Sequence, residues 1–407
     1  MRAGRQHDGL ATLPFFLLMA AVFAVYVGYG IALPLLPFLL ENLLGDGARF
    51  SVTWHTGMIA AVYMFALFVG APLWGWVSDC IGRRPVILVG LGGCVLALAS
   101  FGLATNLWIA YLVRGLGGAL ASAVLPVALA YVSDTTLPEA RARRFAWMTA
   151  ATTLGFLTGP LFGGWLTDIP AGVSAEEAAV GSFAIPFLTA ATGGAVIWLA
   201  VWRWLPGLSR SSSAATVQHD SHQRGAVHVL LLLALLGMFG LGVFEVAIAL
   251  QGQRVLGLDP LRIGLLFMEC SLVMVVVQVL VFSPLARRVG FGFIIVPAFL
   301  AMAAGVGLVP SVVTLGWLML LVGVFAAGAG ILIPMLAYRV SLNAGPASGA
   351  ALGKQTAAAS LGQGLGSATA GWLYGIAIVA PFWLTAAVLL AGALVGLAVG
   401  QRVPAAA

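Results

Sequence analysis

Long apolar runs separated by short polar breaks make up almost the whole chain. Windows of about 19 residues pick out twelve such runs, at 13–40, 54–77, 86–103, 107–131, 145–167, 182–204, 227–252, 261–283, 291–309, 314–338, 350–375 and 380–401. Each approaches or exceeds the ~20 residues that a helix needs to cross a bilayer. Barrel strands would alternate apolar and polar residues over shorter segments, and these runs do not. In lipid the backbone must satisfy its own polar groups, so the pattern predicts an all-α membrane protein with twelve transmembrane helices.

One clearly hydrophilic break, Pro206 to Arg224, contains Ser211, Ser212 and Ser213 and divides six predicted helices from six. It reads as a flexible linker. The expected organisation is a six-helix bundle at 1–204, a linker at 205–226 and a second six-helix bundle at 227–407. His219 and His222 in the linker have metal-like spacing, but no acid or cysteine adjoins them as a further ligand, and they are read as solvated. Arg2 and Arg5 precede the first run, as in a secretion signal, yet the run is too long for one and lacks a clear cleavage site. It is expected to be a true span.

Composition agrees with this reading. Of 407 residues 61% are apolar and 8% charged, against about 25% charged in soluble domains. The formal charge of +6 implies no nucleic-acid partner, because the arginines stand singly or in pairs between apolar runs. Fourteen of the nineteen basic residues, among them Arg83, Arg84, Arg141, Arg287 and Arg288, fall in segments on the same side as both termini. By the positive-inside rule both termini are expected on the cytoplasmic side, and the chain is expected in a cytoplasmic (inner) membrane. Glycine is abundant, at 52 residues, as suits helices that pack closely in lipid. Cys80, Cys94 and Cys270 show no ligand or redox spacing, and no metal or cofactor is expected.

Between the second and third spans stands Gly75-Trp76-Val77-Ser78-Asp79-Cys80-Ile81-Gly82-Arg83-Arg84. It resembles the cytoplasmic signature loop of the major facilitator superfamily, with Cys80 where that family usually has a basic residue. The fifth span carries Gly155-x-x-x-Gly159-Pro160-x-x-Gly163-Gly164, which is similar to the signature of the exporter branch. Glycines four apart share a helix face and permit close contact, while Pro160 weakens the helix locally. Gly28, Pro34 and Pro37 in the first span resemble the twelve-helix drug:proton antiporter group. The resemblance implies that Asp134, after the fourth span, pairs with Arg83, and that Asp79 faces the start of the eleventh span near Ala350.

The second half repeats the first. Arg287 aligns with Asp79 (287 − 79 = 208), and Gly366 with Gly159 (366 − 159 = 207), Ser367 replacing the proline. Two matches at nearly one offset indicate duplication. In this family such halves are parallel repeats with the cargo site near the bilayer midplane, which predicts two pseudo-symmetric bundles.

A charge at the centre of a spanning helix costs ~3 kcal/mol on insertion scales, so such residues are functional candidates. Arg114, Glu245 and Glu269 lie at similar distances from the outer ends of their helices. Arg114-Gly115-Leu116-Gly117-Gly118 resembles the family's fourth-span signature, whose arginine acts in proton coupling in relatives. Burial disfavours an ionised carboxylate and a nearby cation favours it. Glu245 or Glu269 is therefore expected to take a proton while Arg114 tunes or replaces that charge; a static ion pair holding the halves together is the competing reading. Tyr29, Tyr111, Gln251 and Gln278 are candidate cavity residues. Lys354 is expected to snorkel to the surface, and His55 to lie at the interface beside Trp54.

The resemblance implies a secondary active transporter, a proton-coupled exporter of a small amphiphilic drug or metabolite working by alternating access. Its partners would be the cargo molecule, protons and the lipid bilayer, with the chain itself monomeric. The first span lacks the buried acid expected in many exporters of lipophilic cations, so neutral or anionic amphiphiles stay open as cargo. Import of a nutrient is the alternative, but the pattern that sugar porters carry after the sixth span is absent from Trp204-Leu205-Pro206-Gly207. A membrane-embedded enzyme is the remote one; it would need nucleophile, acid and base together, and no such motif occurs.

Overall fold

The computed structural model describes residues 12–44, 49–136, 138–167, 175–207, 221–282, 291–344 and 348–400. It consists of helices: α1 Thr12–Leu44, α2 Arg49–Ile81, α3 Arg83–Gly102, α4 Leu107–Ala121, α5 Val124–Thr135, α6 Pro138–Thr167, α7 Ala175–Trp204, α8 Ser221–Arg254, α9 Pro260–Val277, α10 Phe291–Gly307, α11 Leu315–Ala344, α12 Ser348–Ile376 and α13 Ala380–Gly400. No strand occurs among the described residues. Together α4 and α5 make up the fourth predicted span, so the helices form twelve spans in two six-helix bundles.

Local chemistry sets several boundaries. Asn106 caps α4 by accepting from Ile109 N at 2.9 Å, and Asp259 caps α9 by accepting from Arg262 N at 2.7 Å, with Pro260 in the first turn, where its missing N–H costs nothing. Gly82 separates α2 from α3 at φ 97°, a conformation that favours glycine. Many helices outrun the predicted runs. At 33 residues, α1 is ~50 Å long at 1.5 Å per residue, well beyond a ~30 Å hydrocarbon core, and a hydropathy window senses only the part of a helix that lies in lipid.

Two spans depart from the continuous α-helices predicted. The fourth breaks at Ser122–Ala123, four and three residues before Pro126, whose ring clashes with the carbonyl four residues back and which has no N–H to give. At the break Ala123 N bonds Leu120 O, three residues back, at 3.1 Å. The carbonyl of Ala119 accepts from Trp74 Nε1 and from Ser122 Oγ, each at 2.6 Å. The described part of the eighth span closes on a π-helical turn, Gln278–Phe282.

Among the described residues, ten helical segments are long and apolar enough to cross a membrane. The other two long helices, α6 and α12, are more polar, and they make the most extensive contacts between the bundles: α6 packs on α9, and α12 on α2. Close approach at these seams depends on glycine. A Cβ on Gly57 would lie 2.7 Å from Gly371 Cα, and one on Gly371 2.7 Å from Gly57 Cα. Gly164 packs on Pro260 and Leu261, and Gly264 on Pro160. These contacts run from mid-bundle to the end away from Gly82. Nearer the Gly82 end, a Cβ on Gly75 or Gly353 would meet nothing within 4 Å.

The duplication is visible in backbone packing. Gly155 and Gly159 of α6 lie against Phe23 O and Val27 O of α1, while Gly362 and Gly366 of α12 lie against Leu235 O and Phe239 O of α8. The first pair of helices is related by 207 (362 − 155 and 366 − 159), the second by 212 (235 − 23 and 239 − 27).

Candidate functional site

Glu245 sits in the second half of α8, nearer its Arg254 end, and is 2% exposed. Tyr29 of α1 donates its hydroxyl to Glu245 Oε2 at 2.7 Å. Gln363 of α12 donates Nε2 to both carboxylate oxygens, each at 2.9 Å, and stands 3.2 Å from the Tyr29 hydroxyl. Three helices thus meet at one carboxylate, with α1 contributed by the other bundle. A buried carboxylate needs such donors. When it takes a proton, the rotatable Tyr29 hydroxyl can turn from donor to acceptor, so the same three groups can satisfy both states.

Arg114 of α4 lies beside Tyr29 and is 5% exposed. Its guanidinium carbon is 4.4 Å from the ring centroid of Tyr63, 5.4 Å from that of Phe101 and 5.6 Å from that of Tyr29. These rings favour a cation without neutralising it. No ion pair within 4 Å joins Arg114 to an acid among the described residues, and its buried Nε has no hydrogen-bond partner. Beside it is a cavity with about 40 Å³ of room for water-sized molecules, lined by Tyr29, Tyr63, Cys94, Phe101, Arg114 and Gly117 among others. All its lining residues belong to the first bundle. The Tyr29 ring also stacks on Tyr63 at 5.2 Å and lies 5.7 Å from Phe156.

Glu269 of α9 stands apart from this group. Its Oε1 is turned toward Gly323 of α11, 3.6 Å from where a Cβ would be, and its buried Oε2 has no partner. Tyr111 shares a 2.8 Å hydrogen bond with His55 Nδ1, and Gln251 accepts from Tyr374 of α12 at 3.0 Å; neither lines the Arg114 cavity. Gln278 opens the π-helical turn. Of the four candidate cavity residues, Tyr29 is the one beside Arg114.

At the Gly82 end Arg83 binds three groups: Asp79 Oδ1 at 2.6 Å, Ser78 Oγ at 2.6 Å and Asp134 Oδ2 at 3.1 Å. Asp79 keeps 65% of its side chain exposed. Arg84 donates to Trp202 O, tying the loop to α7. In the α6 motif Gly155, Gly159 and Gly163 pack on α1, Gly164 on the start of α9, and Pro160 on Gly30. Lys354 is exposed. His219 lies outside the described residues, and His222 falls in the first turn of α8. No group of three or more His, Cys, Asp or Glu able to hold a metal occurs among the described residues.

Sequence reasoning overlooked Gln363, Tyr63 and Ser78. For Gln363 a signal existed: it stands at the position of Phe156 (363 − 207 = 156) in the duplicated glycine motif, and a lone amide replacing a phenylalanine in a spanning helix calls for a buried partner.

A family model described as Major Facilitator Superfamily matches residues 18–348. Multidrug resistance protein 2 of Bacillus subtilis (strain 168) is 27% identical over 389 residues, 93% of each chain. Tetracycline resistance protein, class D, of Salmonella ordonez is 30% identical over 339 residues, 79% of each chain. Among solved structures, the human organic anion transporter MFSD10 (TETRAN) has a TM-score of 0.70 at 20% identity, covering 94% of this chain and 99% of that one.

Proposed function

This chain belongs to the Major Facilitator Superfamily, and from that premise we propose that it exports a small amphiphilic drug or metabolite in exchange for protons, with Glu245 as the proton-carrying group. It is a multi-pass transporter of the inner membrane and not an enzyme. Similarity to proteins named for multidrug and tetracycline resistance supports drug-like cargo. The observation that carries the proton assignment is the carboxylate of Glu245, buried where α1 of one bundle meets α8 and α12 of the other, bonded to Tyr29 and Gln363, with Arg114 beside Tyr29.

The units that move are residues 1–204 and 227–407, joined by 205–226, and both termini are cytoplasmic, as the arginine distribution requires. On that orientation the seams through Gly57, Gly371, Gly164 and Gly264 close the outer half, and the open surroundings of Gly75 and Gly353 belong to a cytoplasmic entrance. Rocking of the bundles would part Tyr29 from Glu245 and so change how the carboxylate is satisfied. Arg114 stands as the fixed cation beside this network, Glu269 serves as a separate acid beside α11, and the Asp79–Arg83–Asp134 cluster fastens the cytoplasmic ends of the first bundle. The monomer contains both bundles and therefore the whole cycle. Each charge returning inward supplies ~2.3 kcal/mol per 100 mV.

Proteoliposomes with an imposed pH gradient and a fluorescent amphiphile test this reading. Wild type is expected to move the dye uphill, and Glu245→Gln to bind and equilibrate it without accumulation. Undiminished uphill transport by Glu245→Gln would remove Glu245 from the mechanism.

A further inference from the structure

We propose that the cavity beside Arg114 is a binding site for a small monovalent anion, a halide or a carboxylate group, which acts as counter-ion to the guanidinium. The site lies inside the first bundle and is independent of the direction of transport.

Four observations carry it. Arg114 is 5% exposed and its Nε has no partner, whereas a buried guanidinium keeps its charge and is costly to leave uncompensated. No acid forms an ion pair within 4 Å of it among the described residues; Glu245, the acid of the same network, spends both carboxylate oxygens on Tyr29 and Gln363. The rings of Tyr63 and Phe101 occupy two sides of the cation, leaving its remaining N–H donors to the cavity. The cavity's lining includes no carboxylate that would repel an anion, and small residues, Gly28, Ala97 and Gly194 among them, keep it open. At about 40 Å³ it exceeds the ~10–15 Å³ that one water requires and admits a halide or the head of a carboxylate, while a bulky anion is too large.

A bulk halide and the carboxylate of a cargo molecule offer the same chemistry, and titration separates them. Thermal unfolding of the purified full-length protein in detergent would be followed at fixed pH and ionic strength while chloride or acetate replaces gluconate. A saturable rise of a few degrees in the midpoint is expected in wild type, as for any ligand that binds the folded state alone. Arg114→Gln, which removes the cation, is expected to abolish it. Cys94→Leu, which keeps the cation and fills the cavity, is expected to abolish it too, and decides the matter alone should Arg114→Gln fail to fold. Saturation by chloride with no response to acetate assigns a bulk halide. A response to acetate that strengthens with longer-chain carboxylates assigns the head group of the cargo. Equal midpoints in chloride, acetate and gluconate, or a rise that survives Cys94→Leu, would mean that the cavity holds water alone.

Discussion

Gln253 Nε2 donates to Glu41 Oε2 at 2.6 Å, and the two residues occupy equivalent places in the two bundles, since 253 − 41 is 212, the offset that relates α8 to α1. The bond therefore ties the bundles together where the ends of α1 and α8 lie side by side, away from Gly82. A hydrogen bond to a charged group contributes about 1.5–3 kcal/mol, enough to shift a two-state equilibrium tenfold or more. Gln253→Leu is expected to raise the open population of this end by about that factor. Distances between spin labels at the ends of α1 and α8 would report it, and an unchanged distribution would show that the bond is incidental.

Tyr29 and Gln363 act on one carboxylate, so their effects should be coupled. Tyr29→Phe and Gln363→Leu are each expected to lower the thermal midpoint, and the double variant to lower it by less than the sum, because residues in one network do not add. A coupling of about 0.5–3 kcal/mol is the range for such neighbours. Strict additivity in the double-variant cycle would mean that the two do not share Glu245.

The break in the fourth span lies between Arg114 and Asp134, so it can bend one relative to the other. Pro126→Ala restores a donor and removes the clash at Ser122; it is expected to raise the thermal midpoint and slow turnover. Trp74→Phe removes the donor to Ala119 O and is expected to cost about 1 kcal/mol. If Pro126→Ala left turnover unchanged, the break would be a packing feature and not a joint.

Gly57 and Gly371 test the seam between α2 and α12. Gly371→Ala places a methyl about as close to Gly57 Cα as the 2.7 Å separation allows, and overpacking of this kind costs about 1–3 kcal/mol. Gly57→Ala is expected to lower the thermal midpoint by a similar amount, because its methyl meets Gly371 Cα at the same 2.7 Å. Gly75→Ala, with nothing within 4 Å, should leave the midpoint unchanged. Equal midpoints in wild type and all three variants would sink the seam assignment.

The Arg83–Asp134 pair is partly exposed, at 20% and 31%, and such pairs contribute at most about 1 kcal/mol. Asp134→Asn is accordingly expected to leave the thermal midpoint within a degree or two while reducing transport several-fold. A large drop in midpoint with normal transport per folded molecule would give the pair a structural role only.

The amino-acid sequence by itself determined the solvent, the number of spans, the duplication and the signature loop. Each of these is written locally: a span needs ~20 apolar residues in a row, Gly82 turns the chain where only its own φ matters, and the repeat shows as equal offsets. Depth was also legible, because each helical residue advances 1.5 Å, and it singled out Arg114, Glu245 and Glu269. Only the tertiary structure decided which faces meet. Tyr29 and Gln363 reach Glu245 from 216 and 118 residues away, while Glu269, at a similar depth, turns to Gly323. Which way a helix faces and which helix it meets depend on packing against distant segments. In a chain this uniformly apolar, one face differs little from the next until glycine contacts such as Gly159 on Val27 and Gly366 on Phe239 set the rotation.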